Sequence, residues 1–167
     1  MTSAIWKWLR VSPQEKLLFL WLYFLSGIAR ICIFLIPFRY LAKYLGKKNL
    51  STSKNLTVSP QMTPLLLLLK KNIKRVSRWT PWESLCFVQA LIAIHVLKYY
   101  RLPYTVYFGV TKNPNNNQLK AHAWTKVGDF YVTGERGVRN FTIVSFFSGS
   151  CSRRRYVEAS KFNSKLL

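Results

Sequence analysis

The stretch AHAWTKVGDFYVTGE, residues 121–135, reads as two short strands joined by a two-residue turn. Gly128 can take the positive φ that a type II′ turn needs at its first central position, with Asp129 following it. With that turn Val127 faces Phe130, Thr125 faces Val132 and His122 faces Glu135. Facing residues of an antiparallel pair have Cβ atoms about 4.5–5.5 Å apart. A carboxylate at 135 is then close enough to hold the imidazole at 122. Asp129 is the rival acid, but it sits in the turn. The strand from His122 to Val127 already spans about 17 Å at roughly 3.3 Å per residue. Glu135 is the better expected partner.

A histidine oriented by a carboxylate lacks only a nucleophile to complete an activating triad. Upstream, Leu85–Leu97 is apolar almost all round, broken mainly by Gln89 and His95, as in a buried central helix. Cys86 lies early in it, where aligned amide dipoles favour thiolate over thiol. Two helix starts are open. From Pro81, Cys86 is more than a turn inside; with Ser84 as cap, it falls in the first turn. His95 follows Cys86 by nine positions, and nine steps of about 100° put it on the opposite helix face, as a structural histidine. Cys32 and Cys151 are expected to be inert. Three cysteines make no disulfide framework, and a reducing cytoplasm fits them. The spacing of Cys and His suggests no metal, and no cofactor is expected.

Three Ser/Thr-Pro pairs, Ser12-Pro13, Thr63-Pro64 and Thr80-Pro81, each offer a cap oxygen and a proline for the first turn. Glu15 and Glu83 would complete capping boxes at the first and third. The reading is helices at 13–35, 38–45 (closed by Gly46), 64–78 and 81–101. Strands follow at 104–111, 121–127, 130–135 and 141–147. Helices first and strands afterwards imply an α+β fold, an antiparallel sheet against the buried helix. Residues 1–62 form an N-terminal helical region that includes a polar linker at 47–62. Residues 63–150 form the core, and 151–167 a basic mobile tail.

Hydrophobic residues make up 50% of the 167, which excludes disorder for most of the chain. Lys and Arg number 26 against 5 acids, a net charge of +21. Such a field favours an anionic partner: nucleic acid, anionic lipid, or an acidic peptide or protein. No nucleic-acid motif accompanies the charge, so nucleic acid is disfavoured. Leu17–Phe38 is nearly all apolar, with Arg30 inside it and Pro37 near its end. A charge near a bilayer centre costs about 2.5–3.5 kcal/mol on insertion scales. A helix packed on protein is therefore the first reading, an interfacial membrane helix the second, and a true span the third. Localisation is read as cytoplasmic, with membrane association left open.

The series Pro81-Trp82-Glu83-Ser84-Leu85-Cys86, Tyr107–Val110 (YFGV), Ala121-His122-Ala123-Trp124 and Gly134-Glu135 resembles the transglutaminase-like cysteine proteases that process lasso-peptide precursors, the McjB C-terminal family. Ser12–Leu17, Arg30 and Pro37-Phe38-Arg39 resemble the helical region preceding that peptidase core. The resemblance spans about residues 10–147. It implies a papain- or transglutaminase-like fold and a leader peptidase that acts before macrolactam cyclisation. Cys86 would be the nucleophile, His122 the general base and Glu135 the third member, where the family often carries Asp. Implied partners are the leader region of a precursor peptide, a leader-recognition protein and a lasso cyclase. Residues 1–62 would dock the leader or a partner, or touch a membrane. Two alternatives stand beside this one: a catalytically silent module that binds a peptide or membrane, and an acyl transferase using the same triad.

Overall fold

A computed structural model describes residues 12–49, 58, 60, 62–81, 85–112 and 118–149. Helix α1 (Pro13–Leu35) starts as its sequence dictates: Ser12 Oγ accepts the Glu15 backbone N–H at 3.3 Å, and proline takes the first turn. It stops at Ile36, whose extended backbone is what the following Pro37 imposes. Helix α2 (Phe38–Leu45) ends at Gly46. Helix α3 (Thr63–Trp79) has Met62 rather than Thr63 as its cap residue. Helix α4 runs Cys86–Tyr99. The expected start at Pro81 is thus corrected: Thr80 closes α3, the next helix begins at Cys86, and Glu83 and Ser84 lie outside the described residues.

Strands β1 (Lys47–Lys48), β2 (Tyr104–Lys112), β3 (Leu119–Val127), β4 (Phe130–Thr133) and β5 (Thr142–Gly149) form one sheet in the order β1-β5-β2-β3-β4. Every pairing in it is antiparallel. The fold is therefore α+β, as expected. The linker expectation fails at its start, because Lys47 and Lys48 pair with Ser148 and Phe147. Strand β5 runs on to Gly149, past the expected end at 147, where Gly149 pairs with Tyr104 of β2.

Helix α4 packs against β2, β3 and β4, and α1 packs against both α3 and α4. Val88, Ala90, Leu91, Ile92, Ala93, Ile94, Val96 and Leu97 of α4 are all buried. They form one cluster with Phe19, Leu22 and Ala29 of α1, with Leu66, Leu69, Ile73 and Val76 of α3, and with Tyr104, Val106, Ala123 and Phe147 of the sheet. Burying one such Leu, Ile or Val side chain is worth roughly 1.5–3 kcal/mol. The N-terminal helices therefore share the core that the sheet and α4 build. Glu15 adds a polar tie: its carboxylate meets Arg75 at 2.9 Å and Lys71 at 3.0 Å, both on α3.

Candidate functional site

The β3–β4 hairpin opens as predicted. Gly128 has φ +54°, and Val127 pairs with Phe130. The register then slips. Lys126 pairs with Tyr131, but Thr125 pairs with Thr133 instead of Val132. A bulge of this kind puts two residues on one strand against one on the other. The expected pair of His122 and Glu135 is displaced by it. His122 Nε2 lies 2.8 Å from the Gly134 carbonyl oxygen, and the Glu135 carboxylate turns to Lys70 Nζ at 2.5 Å. Glu135 stays 56% exposed, and an exposed ion pair contributes only about 0–1 kcal/mol. Lys70 holds the carboxylate loosely.

A carbonyl oxygen can only accept, so the His122 proton sits on Nε2. In the neutral ring Nδ1 is then the basic nitrogen. The ring is half-buried between Phe141 (centroids 5.0 Å) and Trp124 (5.9 Å), and Trp124 stacks on Tyr107 at 5.6 Å. Gly134 makes this arrangement possible. It has φ +70°, and a Cβ there would lie 2.5 Å from the Ala123 carbonyl and 2.7 Å from Trp124 Cβ. The chain can pass this close to β3 only without a side chain.

Cys86 is the first residue of α4, half-buried, with Leu85 as cap. Neither helix start open in the sequence is met as such: the cap is Leu85, one residue past Ser84, and the thiol falls in the first turn. There the amide N–H groups that lack a helical carbonyl partner are nearest to the sulfur. Cys86 and Cys32 carry no disulfide; Cys151 lies outside the described residues.

Pairing puts Ala123 opposite Phe108 and His122 opposite Gly109. Phe108 packs on Phe87 of α4 with centroids 5.4 Å apart. Ala123 thus shares the α4-facing side of the strand, while His122 falls on the other side with Trp124. Among the described residues no hydrogen bond joins Cys86 to His122. The structure brings His122 to Gly134, and Glu135 to Lys70; it does not bring the three expected side chains into one hydrogen-bonded chain. His95, set aside as structural, bonds Tyr44 Oη through Nδ1 at 2.9 Å and packs against Trp21.

Sequence reasoning missed the Gly134 carbonyl and Lys70. A backbone acceptor leaves no mark in a search for acids. Lys70 comes from a helix 65 positions upstream, and no local pattern announces it. The one available signal was Gly134 itself, a glycine placed where the strand must bend. No group of three His, Cys, Asp or Glu side chains suited to a metal gathers among the described residues.

The sequence profile of the transglutaminase-like superfamily matches residues 32–145, about two thirds of the chain. Searches of curated proteins and of solved structures return no match. The matched span runs from inside α1, through the cysteine at the head of α4, to β5, and takes in the histidine strand on the way. With that coverage over this architecture, the chain belongs to the transglutaminase-like superfamily, whose members are generally cysteine proteases or acyl transferases.

Proposed function

We propose that the protein is a cysteine endopeptidase that removes the leader from a ribosomally made lasso-peptide precursor, before a cyclase closes the macrolactam ring. The observation that carries the reading is the state of the two reactive groups. Cys86 stands at the first position of a buried helix, and His122 is held through Nε2 with Nδ1 left as base. The order of the sequence motifs supports the lasso-peptide assignment within the superfamily.

The reaction follows from those roles. Because His122 lies on the side of β3 turned from α4, this reading requires that substrate binding first bring Nδ1 to Cys86. Nδ1 then takes the thiol proton, and the thiolate attacks the carbonyl carbon at the leader–core junction. N–H groups at the head of α4, that of Cys86 among them, face the developing oxyanion; one such donor is typically worth about 2.7–4 kcal/mol. Collapse breaks the C–N bond, and the imidazolium gives its proton to the departing core amine. Water, deprotonated by His122, then hydrolyses the leader thioester. Glu135 was the expected third member. With its carboxylate on Lys70, the Gly134 carbonyl takes over orienting the ring. Catalytic hydrogen bonds of this kind are often long before substrate binds and tighten around it. The partners of this reading are the precursor leader, a leader-recognition protein and the cyclase. A reducing cytoplasm suits a free reactive thiol.

A second reading has a specific observation behind it. His122 lies on the side of β3 turned from Phe87 and unlinked to Cys86, which suits a silent peptide-binding module. Two experiments decide. The protein is incubated with leader–core peptides and followed by mass spectrometry: proteolysis splits the chain, whereas acyl transfer adds mass. Cys86→Ala and His122→Ala should each abolish splitting while circular dichroism stays unchanged. In parallel, Cys86 should react with iodoacetamide at neutral pH much faster than Cys32 or Cys151. Cleavage retained in either variant, or equal labelling of all three thiols, rejects the peptidase.

A further inference from the structure

Among the described residues, no element covers the outward side of α1. Leu17, Leu20, Phe24, Ile28, Ile31 and Leu35 are all exposed, Leu17 at 71% and Phe24 at 68%. Their spacing of three and four residues puts them in one stripe at about 100° per residue. The buried residues Phe19, Leu22, Ser26 and Ala29 occupy the opposite side. The stripe runs into the α1–α2 corner, where Phe34 (88% exposed), Leu35, Ile36 and Phe38 also face outward. A cleft of about 320 Å³ between α1, α2 and α4 shares Ile28, Ile36 and Tyr40 with this surface, so the apolar area is continuous. Contiguous apolar surface on this scale marks an interaction site.

We propose that this surface lies on an anionic lipid bilayer, with α1 in the plane of the interface. Charge argues for that occupant. Arg39 and Lys43 of α2 are exposed beside the apolar corner and reach over the Tyr40 ring at 4.7 and 5.8 Å, and Lys47 and Lys48 are exposed past the other end of α2. The one acid of residues 12–49, Glu15, is taken up by Arg75 and Lys71. An apolar stripe bordered by basic residues and tyrosine is the pattern of interfacial helices. A second copy fits less well, because two chains of +21 repel. The helix is long and apolar enough to cross a membrane. However, Phe19, Leu22 and Ala29 belong to the common core with α3 and α4, and crossing would strip them from it.

The inference stands apart from the proteolytic reading and is tested without activity. The full-length protein is centrifuged with vesicles of phosphatidylcholine alone and with vesicles that also contain phosphatidylglycerol, at low and high salt. Binding should require phosphatidylglycerol and weaken at high salt. Phe34→Asp should reduce it more than about tenfold, since a charge replaces a deeply inserted ring. Arg39→Gln with Lys43→Gln should cost roughly twenty-fivefold, at about fivefold per basic residue. All these residues are exposed, and circular dichroism verifies that the variants fold. Four results each overturn the proposal: no binding to either vesicle, equal binding to both, a dimer in sedimentation that Phe34→Asp dissociates, or resistance of the cell-expressed protein to alkaline carbonate extraction.

Discussion

Gly134→Ala isolates the close passage that fixes His122. Two costs add at this position. The backbone has φ +70°, and an L side chain there costs about 1–2 kcal/mol. The new Cβ would also lie 2.5 Å from the Ala123 carbonyl oxygen and 2.8 Å from Trp124 Cα, which are backbone atoms in the middle of a sheet. Relieving such overpacking costs typically about 1–3 kcal/mol. Together they predict a loss of about 2–5 kcal/mol, or a fall in Tm of roughly 5–15 °C for a chain of this size. Gly137→Ala is the control. Gly137 has nearly the same backbone, φ +75°, but its Cβ would meet only Phe141 Cε2, at 4.0 Å. It should lose the conformational part alone, about 1–2 kcal/mol. Thermal unfolding by circular dichroism measures both. If the two variants melt together, the segment after β4 does not press on β3 as described. The Gly134 carbonyl would then be free to leave His122.

Two further outcomes follow from the same geometry. Glu135→Gln should cost no more than about 1 kcal/mol of stability and leave cleavage within about fivefold of the parent. A loss beyond about a hundredfold would mean that the carboxylate leaves Lys70 to hold the ring. Glu15 governs acid stability. Burial acts to raise its pKa, but Lys71 and Arg75 outweigh that and hold it below the ordinary 4.5. A carboxylate depressed in the folded state contributes stability that is fully present above 4.5 and is lost as pH falls through its lower folded value. Denaturation in urea from neutral pH into the acid range should therefore show Glu15→Gln less stable near neutrality, with the gap closing on acidification. A gap independent of pH would refute the ion pairs.

Much of the fold is local in origin and was legible for that reason. The extents of α1 and α2, Gly46 as a helix end, the turn at Gly128 and the three long strands follow from caps, prolines, glycines and period-two patterning, each acting within a few residues. The α+β class follows from their order. Cys86 and His122 were recognisable because their residue types are scarce in this chain and stand beside strong local signals. What pairs with them was not. Counting outward from a turn assumes an unbroken ladder, and the bulge at Thr125 breaks it beyond the reach of any local rule.

Local signals in the chain settle most helix and strand segments, and which thiol and imidazole stand out. Long-range packing settles that Gly134 rather than Glu135 meets His122, that Lys70 claims the carboxylate, that Lys47–Lys48 closes the sheet against β5, and that no described element covers one side of α1. The division follows from range. Caps and turns are settled by neighbours in the chain, whereas a bulge, an ion pair across 65 positions and an unburied helix face depend on what the rest of the fold brings alongside.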